Sequence, residues 1–255
     1  MPPKFIFIIP YRDREQHLQF FNRQMKYVLE DVPKDDYEMY FLHQCDVRKF
    51  NRGAMKNIGF LAIRDKYPND YKNITLVFND IDTMPFEKNV LNYKTVPGVI
   101  KHFYGYKFAL GGIVSITGQD FERMNGFPNF WAWGYEDNEL QNRATKYNIT
   151  VDRSKFYPIA DRNIIQFNDG LTRNVNRTEF DRFKNNTSEG LNSISDLTYK
   201  IDNTSGFINV STFDTGFESV SQDQTHDLRK GNVPFPDLKR HGGGNPRMQM
   251  FMKKV

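Results

Sequence analysis

Ile74-Thr75-Leu76-Val77-Phe78-Asn79-Asp80-Ile81-Asp82 runs from apolar and β-branched residues straight into clustered carboxylates. Such a short apolar run reads as a buried strand, Ile74 to Phe78, with the acids at its carboxyl end. Upstream, Lys4 to Ile9 and Glu38 to Gln44 read as two more strands, the first closed by Pro10. Helical spacing fills the gaps: Leu18, Phe21, Met25, Val28 and Leu29 within Arg14 to Glu30, then Ile58, Leu61 and Ile63 mostly inward within Ala54 to Tyr67. The resulting βαβαβ order predicts an α/β fold, a Rossmann-like and mostly parallel central sheet flanked by helices. Downstream, Gly118 to Met124 and Glu136 to Tyr147 read as helices and Thr150 to Asp152 as the start of a short strand.

Open sheets of this kind collect ligands at the carboxyl ends of their strands. Two segments sit at such ends, Asp80 to Asp82 and Pro10-Tyr11-Arg12-Asp13-Arg14. The acids suit a hard cation such as Mn²⁺ or Mg²⁺ holding a diphosphate, or they are solvated turn residues or a helix cap. Arg12, Arg14 and Arg52, in Phe50-Asn51-Arg52-Gly53, have the planar fork that suits phosphate, and Phe50 the face that suits a base; ordinary surface charge is the alternative. Gly111-Gly112 permits close backbone approach to a ligand, or marks a tight turn.

A second constellation lies in Phe130-Trp131-Ala132-Trp133-Gly134-Tyr135-Glu136-Asp137-Asn138-Glu139. Aromatic faces cover the C–H side of a sugar ring, and a carboxylate accepts a proton from a hydroxyl. The Trp residues also suit a core, and Glu136 and Asp137 also suit the first turn of a helix, a role compatible with catalysis.

Composition narrows the field. The 255 residues carry 35 basic and 31 acidic side chains, a formal charge of +4 without a long basic run, so a nucleic-acid partner is not expected. Cys45 stands alone and cannot form an internal disulfide, which points to a reducing compartment. No run of about 18 apolar residues occurs, so no membrane span is expected in this chain. The five histidines form no spaced metal motif and read as structural. After about residue 215 the chain turns rich in Gln, Asp, Gly and Pro, and 217–255 reads as a partly irregular C-terminal extension to a catalytic unit over 1–216.

In order, Phe7-Ile8-Ile9-Pro10-Tyr11-Arg12-Asp13-Arg14, Phe50-Asn51-Arg52-Gly53, Asn57-Ile58-Gly59-Phe60, Val77 to Pro85, Gly111 to Ser115, Asn125-Gly126-Phe127-Pro128-Asn129, Trp131 to Asp137 and Gly190-Leu191-Asn192-Ser193 resemble the β-1,4-galactosyltransferase family. The resemblance spans residues 5 to about 216 and implies a single GT-A-type glycosyltransferase domain. It implies that Pro10, Tyr11, Arg12, Arg14, Phe50 and Arg52 hold a uridine nucleotide, with Asp80, Ile81, Gly111 and Gly112 also lining the donor site. Asp82 would ligate Mn²⁺, Trp133 would cover donor and acceptor sugars, and Gly134 would sit against the donor. Glu136 would position the donor sugar and Asp137 would be the base of an inverting displacement. The partners so implied are a UDP-sugar donor and a carbohydrate or glycoconjugate acceptor.

Three departures stand out. Asn163-Ile164-Ile165-Gln166-Phe167-Asn168 replaces a Met-x-x-His metal motif, leaving Gln166 or Asn168 to offer oxygen. Tyr135 and Asn138 stand where the family usually has Gly and Asp, and Ala109-Leu110 where galactose-specific members carry an aromatic that limits donor size. The family's animal members are Golgi membrane proteins with disulfides; the single Cys and missing anchor instead suggest a soluble cytoplasmic relative, microbial or viral. A sugar-binding protein without catalysis, a glycoside hydrolase and a basic nucleic-acid module are the competing readings.

Overall fold

The computed structural model describes residues 1–168, 170–185, 187–218, 223–231 and 233–235. Along the chain they form β1 (Phe5–Tyr11), α1 (Glu15–Val28), β2 (Tyr37–Gln44), α2 (Arg52–Lys66), β3 (Thr75–Asn79), β4 (Thr83–Pro85), β5 (Val99–Gly105), β6 (Ile113–Thr117), α3 (Gly118–Arg123), α4 (Glu136–Lys146), β7 (Thr150–Asp152), β8 (Tyr157–Pro158), β9 (Ile164–Gln166), β10 (Thr172–Asn176), α5 (Arg177–Lys184), β11 (Ser195–Asp202), β12 (Phe207–Asp214) and β13 (Asp223–Asp227). The expected strands and helices form, with some ends moved by a residue or two.

The main sheet runs β11-β12-β2-β1-β3-β6-β5-β7, with β8 beside β5. β1 lies at its centre, parallel to β2 and β3, and β12 continues the parallel set on the far side of β2. Successive β1 side chains enter opposite cores. Ile6 and Ile8 pack with α2, whereas Phe5, Phe7, Ile9 and Tyr11 pack with Leu18, Phe21 and Met25 of α1. Burial on both faces is why the strand reads as a continuous apolar run and does not alternate. β6 runs antiparallel to both β3 and β5, because a short loop through Gly111-Gly112 folds the chain back on β5. Periodicity upstream carries no trace of that reversal.

α2 differs from a simple amphipathic helix. Every residue from Gly53 to Ile63 is buried, since Leu191 and Ile194 cover the side away from the sheet. Polar groups at this contact are paired. Asn57 Nδ2 donates to the Phe127 carbonyl and to Asn129 Oδ1, both at 2.8 Å, while its Oδ1 accepts from Phe127 N at 2.9 Å. Asn129 Nδ2 in turn donates to the Gly190 carbonyl and Ser193 Oγ at 3.0 Å. Three sequence motifs thus meet in one buried network, and the chain entering α4 is fixed to α2.

Part of the expected C-terminal extension is described. β13 pairs antiparallel with β10, and Asp223 accepts an ion pair from Lys49 at 2.8 Å. The Gly-rich run His241 to Pro246 lies outside the described residues. Among the described residues no helix is long and apolar enough to cross a membrane.

Candidate functional site

Four elements converge where β1 and β3 end, at the point where connections leave the central strand in opposite directions. Arg52 is the first residue of α2, whose end is capped by Asn51 Oδ1 accepting from Ala54 N at 2.8 Å. Asp80 follows β3, and its N–H donates to the Gly112 carbonyl at 3.1 Å. Glu136 and Asp137 open α4, which begins after Gly134 at φ +98° and Tyr135 at φ +72°. Tyr135 holds left-handed backbone without being Gly, at a typical cost of about 1–2 kcal/mol. Its ring stacks on Phe183 at 5.0 Å and packs on Phe180 at 5.2 Å, contacts that offset the strain.

The Arg52 guanidinium binds all three acids. Nη2 donates to both Asp80 oxygens at 2.6 Å, and Nη1 donates to Glu136 Oε1 at 2.5 Å and Asp137 Oδ2 at 2.9 Å. Lys56 donates to Asp137 Oδ1 at 3.1 Å. Burial alone would push the Asp137 carboxyl up, but Arg52 and Lys56 outweigh it and hold its pKa below the ordinary value. Glu136 goes the other way, raised by burial and then by the charge of Asp137. Among the described residues its buried Oε2 has no hydrogen-bond partner.

Gly111 makes room for Asp137. A Cβ there would lie 2.3 Å from Asp137 Oδ2, and the Asp137 carbonyl accepts from Leu110 N at 2.9 Å. The close approach permitted by this glycine is therefore to Asp137. Gly112, at φ +74°, makes the turn into β6. His102 braces the loop. Arg153 Nε donates to its Nδ1 at 3.0 Å, so Nε2 carries the proton toward the carbonyls of Tyr104 and Gly111. Burial, then the Arg153 charge, lowers its pKa to about 4, keeping it neutral.

The remaining expected residues lie around this centre. Arg12 donates to the carbonyls of Asp46 and Arg48, joining the end of β1 to the loop before Phe50, which packs half-buried on the core. Pro10, Tyr11 and Ile81 are buried. Arg14 precedes α1. The two Trp residues part company. Trp131 is 2% exposed and stacks on Phe213, whereas Trp133 is 43% exposed with Arg173 over its ring.

Asp82 sits at the mouth of a small second sheet. Its carbonyl accepts from Phe167 N at 2.8 Å, and Thr83 pairs with Gln166 across β4 and β9. The stretch Asn163 to Asn168 therefore does lie beside Asp82. Gln166 Oε1 already accepts from the Tyr104 hydroxyl at 2.5 Å. Among the described residues no three His, Cys, Asp or Glu side chains gather to hold an ion. One carboxylate with neutral amide oxygens fits a hard divalent ion as a partial site, to be completed by oxygens of a bound diphosphate.

Two residues at this centre carried no motif. Lys56 stands out in the sequence only as the one cation between Gly53 and Ile63 of α2. Arg143, four residues after Glu139, donates to the carbonyls of Asn125, Gly126, Thr187 and Glu189 and anchors α4.

Solved structures identify the architecture as a GT-A glycosyltransferase catalytic fold. The catalytic domain of Drosophila β-1,4-galactosyltransferase 7 in complex with xylobiose superposes with a TM-score of 0.66 at 20% identity, over 85% of this chain and 95% of that one. A mutant of that protein, in complex with manganese, UDP-Gal and xylobiose, gives 0.65 at 19% identity over the same shares. Two family models match, the N-terminal region of glycosyl transferase group 7 over residues 2–94 and the N-terminal domain of galactosyltransferase over 99–166. The chain belongs to this β-1,4-galactosyltransferase family. Mouse β-1,4-galactosyltransferase 1 is 30% identical over 213 residues, 78% of this chain and 51% of that protein. Pig β-1,4-galactosyltransferase 5 is 28% identical over 237 residues, 88% of this chain and 57% of that protein. The chain thus spans little more than half the length of these relatives.

Proposed function

We propose that this chain is an inverting glycosyltransferase that moves a hexose or N-acetylhexosamine from a UDP-sugar to an acceptor hydroxyl of a glycan or glycoconjugate. The observation that carries the reading is the meeting of Asp137 and Glu136 with Arg52 and Asp80 at the carboxyl end of the sheet. A hydrolase would need the two carboxylates but not the phosphate-binding guanidinium. Pro10, Tyr11, Arg12, Arg14, Phe50 and Arg52 hold the nucleotide in this reading, with Asp80, Ile81, Gly111 and Gly112 around the donor. Trp133 and Gly134 lie against the sugars.

Asp137 is ionised at neutral pH, the protonation state a general base requires. Its Oδ2 takes the proton as the acceptor oxygen attacks the anomeric carbon. The anomeric C–O bond to the diphosphate breaks as the new bond forms, and UDP leaves with the electron pair. As Arg52 turns toward the diphosphate, Asp137 loses one of its two cations and becomes more basic. Glu136 Oε2, buried and without a partner among the described residues, accepts from a donor-sugar hydroxyl. A divalent ion held by Asp82, with Gln166 or Asn168, would supply positive charge to the leaving diphosphate. Ala109 and Leu110, both buried, stand where galactose-specific members carry an aromatic, and side chains smaller than that would leave room for an N-acetyl group.

The test is UDP release and donor binding across a panel of UDP-sugars, with and without Mn²⁺. Asp137→Asn should bind donor normally yet lose about 10²–10⁴-fold in turnover, the range typical of general-base help. Binding without turnover on a broad acceptor panel would favour an inactive sugar-nucleotide-binding protein, a reading that the missing Met-x-x-His motif keeps in play. Failure to bind any UDP-sugar would sink both.

A further inference from the structure

Lys56 occupies a position where a charge is costly. Its side chain is 2% exposed, and from Gly53 to Ile63 its helix neighbours are apolar apart from the amide of Asn57. A side chain of the same length without charge would fill this space without desolvation. The ammonium lies over the Phe127 ring, 4.4 Å from its centroid, and its one ion-pair partner among the described residues is Asp137.

The two cations at Asp137 are not equivalent. Arg52 is 22% exposed and shared among three carboxylates, so a diphosphate can compete for it. Lys56 is sealed beneath the site on Oδ1, the oxygen that Arg52 leaves untouched. We propose that Lys56 is a positioning residue for Asp137, pinning Oδ1 so that Oδ2 faces the acceptor and remaining as the fixed counter-charge when Arg52 engages the donor. This rests on the reading of Asp137 as the base.

Among the described residues, the charged and titratable groups around Asp137 are Arg52 and Lys56 from α2, Glu136 from its own helix, His102 from β5 and, through Arg52, Asp80. His102 is neutral above about pH 4, so Lys56 is the only fixed cation among them once Arg52 turns away. Loss of its charge must raise the Asp137 pKa.

The experiment compares the full chain with Lys56→Met and Lys56→Gln, the second keeping a hydrogen-bond donor without charge. The ¹³C carboxylate titration of Asp137, assigned by its absence from Asp137→Asn, is followed together with kcat, KM for the UDP-sugar and the pH profile. In both variants the Asp137 midpoint should rise by about one pH unit or more. The acid limb of the rate profile should move with it, kcat should fall by about tenfold or more, and KM should stay within about twofold. An unmoved midpoint in a folded variant overturns the proposal, as does a moved midpoint with unchanged kcat. Full turnover in Asp137→Asn would overturn the base assignment itself, a result readable apart from the Lys56 titration.

Discussion

At Asp137 the side chain's position is decided by neighbours on three sides: Arg52, Lys56 and the bare Cα of Gly111. The last is the simplest to perturb. Gly111→Ala puts a methyl 2.3 Å from Oδ2 and 2.8 Å from Cγ, and Asp137 must swing away from its cations. A displacement of about 1 Å is commonly worth about 10²-fold in rate, and overpacking costs about 1–3 kcal/mol. We expect turnover to fall by about that factor while UDP-sugar affinity changes only a few-fold, checked by steady-state kinetics beside calorimetric binding. Tyr135 illustrates the limit of residue-level reading. It is visible as a departure from glycine, yet only its packing on Phe180 and Phe183 explains how a bulky residue is tolerated at φ +72°.

At the scale of elements, α4 carries two site acids but is itself strongly polar, with buried Leu140 and Ala144 as its apolar contribution to the core. Its placement depends on Arg143, which is 6% exposed and ties the Gly126 and Glu189 carbonyls to the helix. Arg143→Leu leaves these acceptors and Glu139 buried without their donor, and such a loss typically costs about 3–5 kcal/mol. Arg143→Lys should recover little, since one ammonium cannot span the fork's partners. Urea unfolding is the check, and near-wild-type stability of the Leu variant would refute this role. Periodicity located α1, α2 and β1 to β3 well, because central parallel strands are continuous apolar runs. It did not reveal β11 and β12, whose half-exposed, polar-rich residues lack a strong pattern.

For the whole molecule, the site joins parts that are distant in the chain, so ligand binding and global stability are linked. Saturating UDP with Mn²⁺, at about 100 times Kd, should add about 2.7 kcal/mol. That corresponds to a rise of roughly 5–10 °C in the thermal midpoint for a domain of this size. A chelator should remove most of the gain, and Asp82→Asn should abolish the metal-dependent part. An equal shift with and without metal would exclude Asp82 as its ligand. We further propose that residues 1–216 form the catalytic unit. The strand Asp223–Asp227 nevertheless packs on β10, whose Asn174 carbonyl accepts from Trp133 N at 3.0 Å, so part of the later chain abuts the site's rim.

By itself the sequence determined the α/β class, the first three strands along the chain and the acids and arginines that line strand ends, because burial on both faces and turn chemistry leave local signatures. The tertiary structure decided what those residues do to one another. It sent Trp131 to the core and Trp133 to the surface, gave Gly111's missing side chain to Asp137, and brought Gln166 beside Asp82. It also set Lys56 against Asp137. Such pairings depend on how α2, α4 and the glycine loop pack across long sequence separations, and contacts of that range leave no period in the chain.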